Sequence, residues 1–181
     1  RLRAAQIVGN AKLGGVVSSI LNYYSHVDRT RWRFDFFTYG PSSLDEKLKE
    51  LDSEARVFTI PRLDTQFYKA VPALTKLLRG GEYAVAHSHM TTLSAFALRA
   101  AKKAGVPVRI CHAHSTFDRS SDHYLVKAIL RPFAAKDATL LAACGELAAQ
   151  NLYKKRAGEA VILKNAIDLE RFSPVSSPEK D

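Results

Sequence analysis

Seven short apolar runs punctuate the chain: Arg3–Gly9, Phe34–Tyr39, Arg56–Ile60, Tyr83–His87, Val108–His112, Ala138–Ala143 and Ala160–Leu163. Each has the length and composition of a buried strand, and amphipathic stretches separate them. In the first of these stretches Val17, Ile20, Leu21 and Tyr24 recur at i, i+3, i+4 and i+7, which lines one face of a helix. A later stripe of Leu93, Phe96, Ala97 and Ala100 runs into Gly105 and Pro107, so that helix should stop near Ala104. Strands that alternate with helices of this length form βαβ units with right-handed crossovers. The expected fold is therefore α/β: a Rossmann-like open, mostly parallel twisted sheet of about seven strands, with helices on both faces.

With 181 residues, of which 46% are hydrophobic, the chain can build one sizeable core but not two. No linker interrupts the pattern before about Ser173, where Ser, Pro and charged residues take over. Residues 1–172 are read as one domain and 173–181 as the start of an interdomain hinge or a disordered tail. The formal net charge of +9 attracts anions such as acidic lipid headgroups or phosphorylated substrates. Its basic residues are scattered rather than gathered on one helix with interleaved aromatics, which argues against nucleic acid as a partner. Cys111 and Cys144 lie in or at the end of apolar runs with no CxxC spacing, so they read as reduced core residues of a cytoplasmic protein. No run approaches the roughly 18 apolar residues that a membrane span needs, so any membrane contact is expected to be peripheral.

In a parallel sheet, ligands bind where the carboxyl ends of strands meet helix N-termini, because free N–H groups and the helix dipole favour anions there. Three segments fall at that edge. The loop Gly9-Asn10-Ala11-Lys12-Leu13-Gly14-Gly15 lacks both the GxGxxG spacing and the GK[ST] ending of phosphate loops, although its glycine pair permits close backbone approach by a ligand. His87-Ser88-His89-Met90 closes the fourth run, just before a Thr91-Thr92 pair suited to capping the next helix. Cys111-His112-Ala113-His114-Ser115-Thr116 closes the fifth. Side chains two apart on a strand share a face and neighbouring strands lie about 4.8 Å apart, so the two His-x-His pairs can bring four of the six histidines to one edge. Paired imidazoles suit zinc, but no carboxylate stands within either loop, and no metal is expected. A nucleophile elbow of the GxSxG type is absent, and nothing makes a case for a hydrolase.

Taken in order, Gly14-Gly15, Leu21-Asn22-Tyr23-Tyr24, His87-Ser88-His89-Met90, Ala101-Lys102-Lys103-Ala104-Gly105-Val106, Arg109 and His112-Ala113-His114-Ser115 resemble the N-terminal domain of glycosyltransferase family 4 enzymes of the capsular and exopolysaccharide type. Asn165-Ala166-Ile167-Asp168-Leu169-Glu170-Arg171-Phe172 is similar to the N-x-[IV]-D-x-x-x-F signature with which that domain ends. The resemblance implies a GT-B fold, in which two Rossmann-like domains face each other across a cleft. It implies transfer with retention of anomeric configuration, from a nucleotide-sugar to a glycan or lipid-linked glycan acceptor, with no resident cofactor and no metal. On this carry-over Gly14 and Gly15 approach the donor phosphates, His114 lies beside the donor sugar and His87 or His89 near the acceptor. His112, Ser115 and Thr116 serve as acceptor-side or supporting groups.

The same resemblance implies a C-terminal donor-binding domain as partner and a basic surface suited to the anionic inner face of the plasma membrane. Where family members often carry Glu after the glycine pair, this chain has Val16-Val17-Ser18. The segments Arg62–Tyr68 and Phe117–His123 are the expected acceptor-specific loops. Two other readings compete: a stand-alone Rossmann-like module that binds an anionic ligand or partner without catalysis, and a small metal enzyme built on the four histidines.

Overall fold

The computed structural model describes residues 1–10, 14–40 and 44–167. Seven strands form one sheet: β1 (Leu2–Gly9), β2 (Trp32–Thr38), β3 (Val57–Thr59), β4 (Val85–Ser88), β5 (Val108–Ala113), β6 (Leu140–Ala143) and β7 (Val161–Ile162). They stand in the order β3-β2-β1-β4-β5-β6-β7, and every pair is parallel. The topology reverses between β1 and β4, which are neighbours in space but not in sequence. All seven apolar runs become strands, with ends shifted by up to a few residues. The reading of residues 173–181 falls outside the described residues.

Six helices connect the strands: α1 (Gly15–His26), α2 (Leu44–Leu51), α3 (Phe67–Gly80), α4 (Ser94–Ala104), α5 (Tyr124–Ala134) and α6 (Glu146–Tyr153). Alternation along the strands divides the core. Val8 and Phe36 meet Val17, Ile20, Tyr24, Leu44 and Leu48 of α1 and α2 on one face. Ala5, Ile7, Phe37 and Ala86 meet Ala70, Leu74, Ala97 and Ala100 of α3 and α4 on the other. That second layer continues through Leu98, Cys111, Leu141, Ala143, Ala149 and Leu152 to α6. Gly105, at φ +83°, ends α4 as the sequence indicates.

Three sequence readings change. Thr91 and Thr92 do not cap α4. They form a single 3-10 turn that runs straight into the helix, with the Leu93 N–H donating to Met90 O at 3.0 Å, so the first amides are satisfied by backbone and Thr92 is buried. Cys144 lies just past β6 and is half-buried rather than core. The Phe117–His123 segment is tied down: Asn151 brackets Phe117, accepting from its N–H at 3.1 Å and donating to its carbonyl at 2.9 Å, while Asp118 accepts from Ser120 N–H and Oγ.

At the amino end of the sheet Asp35 is fully buried and gathers donors from three elements. Its carboxylate accepts from the Arg3 guanidinium, from the Tyr83 hydroxyl at 2.8 Å and from the Arg56 N–H at 3.0 Å. This node pins β1 to β2 and to the turn before β4, which fixes the central register. Removing one side of such a buried charge network strands its partners. Asp35→Ala should cost about 3–5 kcal/mol of unfolding free energy in urea titration, whereas a loss under about 1 kcal/mol would show that the node is dispensable.

Candidate functional site

β4 and β5 end side by side beyond the reversal point, and parallel register puts His89 level with His112. The four histidines expected at this edge form one stack. His87 and His89 have ring centroids 4.0 Å apart, His112 and His114 3.9 Å, and His87 lies parallel to His112 at 5.1 Å. His89 and His112 are buried, and His87 and His114 are partly so. Alternation places them on the sheet face to which Gln6 also belongs, since Gln6 pairs with His87.

Gln6 was not among the residues singled out from sequence. Its one signal is a lone amide inside the apolar run Ala4–Val8. Its Oε1 lies 2.8 Å from His89 Nε2, so that nitrogen carries the proton and donates. The other nitrogen, His89 Nδ1, is then an acceptor and takes the proton of His114 Nε2 at 2.7 Å. His114 Nδ1 is left as a bare acceptor, buried and without a partner, as is His112 Nε2. A second contact joins His87 Nε2 to His112 Nδ1 at 3.0 Å.

Burial keeps all four rings neutral. It lowers the pKa of His114 to about 4, of His87 to about 3 and of His112 to about 2, and it holds His89 well below the ordinary value, with the neighbouring imidazoles adding to the effect for all but His114.

Nitrogens of His87, His89 and His112 lie within 4.8 Å of one another. Yet both His89 nitrogens and one each of His87 and His112 are already engaged in hydrogen bonds, and no carboxylate joins the group. A cation would have to break this chain.

Gly14 and Gly15 lie exposed at the start of α1, and Ala11–Leu13 are outside the described residues. The helix start has no side-chain cap and no acidic residue in its first turn, so its leading amides are free to meet an anion. The chain returns to this helix at its far end. The Ala166 N–H donates to Ser19 Oγ at 3.2 Å, Asn22 Nδ2 donates to Ala166 O at 2.9 Å and the Tyr23 hydroxyl donates to Lys164 O at 2.5 Å. Of the Asn165–Phe172 signature, only residues through Ile167 are described.

Arg62–Tyr68 and Phe117–His123 come together around a groove of about 560 Å³, walled by Phe67, Met90, Phe96, Phe117, Val126 and Leu130. Ser115 lines this groove rather than the histidine stack, because it follows His114 with the opposite side-chain direction. Thr116 is exposed in the same loop. Among the described residues no helix is long and apolar enough to cross a membrane.

Residues 13–171 match Glycosyltransferase Family 4. The chain belongs to that family. Across 95% of its length this family 4 chain is 31% identical to the putative glycosyltransferase EpsF of Bacillus subtilis (strain 168), and across 68% it is 31% identical to a UDP-Gal:α-D-GlcNAc-diphosphoundecaprenol α-1,3-galactosyltransferase of Escherichia coli. It spans 47% and 35% of those proteins, respectively. The fold of the family 4 domain matches Anabaena Alr3699/HepE in complex with UDP (TM-score 0.74, 14% identity, 97% of this chain and 47% of that one). It also matches MurG of Acinetobacter baumannii (TM-score 0.62, 11% identity, 97% and 48%). The architecture is thus that of a GT-B glycosyltransferase domain.

Neutral burial of the imidazoles has a thermodynamic signature. Unfolded histidine takes a proton near pH 6.5, whereas the folded stack resists protonation to about pH 4 or below. The stack's contribution is complete above pH 6.5 and is lost as pH falls, by up to about 1.4 kcal/mol per pH unit for each ring. Thermal melts should therefore fall steeply between about pH 6.5 and 5, above the carboxylate range. His87→Gln/His112→Gln should flatten that slope, and an unchanged slope would place the titrating groups elsewhere.

Proposed function

We propose that the chain is the acceptor-side half of a retaining glycosyltransferase that moves a hexosyl unit from a nucleotide-sugar to a lipid-linked or polysaccharide acceptor, working with a second, donor-binding domain. The observation that carries this reading is the Gln6–His89–His114 chain, which ends on an unpartnered acceptor nitrogen at the carboxyl edge of the central strands. A buried acceptor without a partner costs about 1–3 kcal/mol, and a sugar hydroxyl is a donor of the right kind to relieve it. His114 is accordingly the group that receives a donor-sugar hydroxyl, held in a fixed tautomer by His89 and Gln6. His87 or His89 stands towards the acceptor, and His112 supports the stack.

Gly14 and Gly15 bring the free amides of α1 to the donor diphosphate, where they meet the charge that develops as the sugar leaves. A nucleotide-sugar with a uridine base is favoured: the Escherichia coli relative is named for UDP-Gal, and HepE is crystallised with UDP and UDP-glucose. The Escherichia coli relative's acceptor is a diphosphoundecaprenol, which favours a lipid-linked glycan here, met at the inner face of the plasma membrane. No metal or resident cofactor enters the chemistry. The engaged nitrogens of the histidine stack support that reading, as does a donor phosphate met by helix amides.

One wall of a cleft cannot exclude water or orient two substrates. The chain Arg1–Asp181 alone should show no appreciable sugar transfer from UDP-sugars to lipid-linked acceptors. Extended in its native reading frame through a second Rossmann-like domain it should transfer, and His114→Ala should lower kcat by roughly a hundredfold or more. Robust transfer by the isolated chain would refute the half-enzyme reading, as an unaltered rate in His114→Ala would refute the role of His114. A reading frame that stops near Asp181 would favour the binding-module reading.

A further inference from the structure

Amphipathic helices on a domain surface ordinarily turn polar side chains to water. α5 does the reverse. Leu125, Val126, Ile129 and Phe133 are 73%, 53%, 67% and 50% exposed, and Ala134 is the one helix residue that is fully buried. Across the mouth of the groove Phe67 and Tyr68 at the start of α3 are 47% and 61% exposed. Val126 and Phe67 line the groove as well, so groove and outer apolar surface are continuous. Apolar patches of this kind on a domain surface mark interaction sites.

We propose that α5, with Phe67 and Tyr68 opposite, docks this domain on an anionic lipid bilayer, so that the groove opens at the membrane surface. The inference rests on the lipid-linked acceptor reading above for its purpose and on the surface itself for its partner. Charge selects the bilayer. From His123 to Lys136 the sequence holds Lys127, Arg131 and Lys136 and no Asp or Glu. The Arg131 guanidinium lies 5.8 Å from the Phe117 ring and the Lys136 ammonium 5.9 Å from the Phe133 ring, while on the other lip the Lys69 ammonium is 5.7 Å from Tyr68. Cations beside exposed rings and aliphatics suit the boundary between anionic headgroups and acyl chains.

The nearby acids do not oppose this. Asp118 spends its carboxylate on Ser120 and its own turn, Asp64 pairs with Arg62, and Asp137 is buried against Lys102. A lipid-linked sugar held at such a surface reaches the groove without its chain leaving the membrane.

Vesicle flotation tests the proposal, using the chain Arg1–Asp181 with phosphatidylcholine vesicles and with vesicles carrying about 30% phosphatidylglycerol. The chain should float with the anionic vesicles and not with the neutral ones. Leu125→Ser/Ile129→Ser should cut that partition by roughly tenfold or more with an unchanged melting temperature, since both side chains already face water. Arg131→Gln/Lys136→Gln should weaken it and reduce its salt sensitivity. Equal flotation of wild type and Leu125→Ser/Ile129→Ser would reduce the contact to charge adsorption and overturn the proposal. So would absence of flotation, or a wild-type dimer that this variant splits without any vesicle binding. In the two-domain enzyme, Leu125→Ser/Ile129→Ser should keep its turnover on a short, water-soluble acceptor analogue. Vesicle binding without transfer to any lipid-linked acceptor would remove the acceptor reading and leave the docking surface standing.

Discussion

Every strand of the sheet runs in the same direction, and from that constraint the functional geography follows. Parallel neighbours require a crossover for each connection, so all strand-to-helix loops leave from one edge and all helix-to-strand turns from the other. The amino edge is closed by charge, with Asp35 holding Arg3, Tyr83 and the Arg56 amide. The carboxyl edge is left for recognition. At the reversal between β1 and β4 the crossovers part to opposite faces, and there the start of α1, the histidine stack and the groove share a border.

Four imidazoles stacked at this border would repel one another if charged. Burial settles the conflict by keeping them neutral, and neutrality converts repulsion into hydrogen bonding, because each ring then offers one donor and one acceptor. A neutral chain has a direction. The amide oxygen of Gln6 sets it, and the bare nitrogen of His114 is where it ends. The same arrangement explains why three imidazoles gathered within 4.8 Å form no obvious metal cage: their nitrogens already satisfy one another.

The groove and α5 extend this edge outward. Met90 and Phe96 come from the β4–α4 region, Phe117 and Val126 from the β5–α5 region, and Phe67 from the start of α3. Three successive connections thus contribute one wall each, as expected when specificity is built on loops over a rigid sheet. Gly9 makes the approach possible: at φ +66° it turns the chain out of β1 against Met90, where a Cβ would come within 2.6 Å of the Met90 sulfur.

What the sequence by itself determined was local and periodic: seven apolar runs, helix faces at i, i+3, i+4 and i+7, and a glycine stop after Ala104. Those signals survive because burial acts on neighbours along one element. The His-x-His pairs were also legible, since alternation on adjacent strand ends follows from the 4.8 Å spacing of any sheet. Thr91 and Thr92 misled because competing backbone hydrogen bonds, invisible in composition, had already satisfied the helix start. Only the tertiary structure decided that Gln6 orients His89 and His114, that Ser115 belongs to the groove, and that Leu125, Ile129 and Phe133 face outward. These outcomes depend on groups brought together from distant positions in the chain. Amphipathic periodicity reveals that a helix has an apolar face, but not whether the protein or its surroundings cover it.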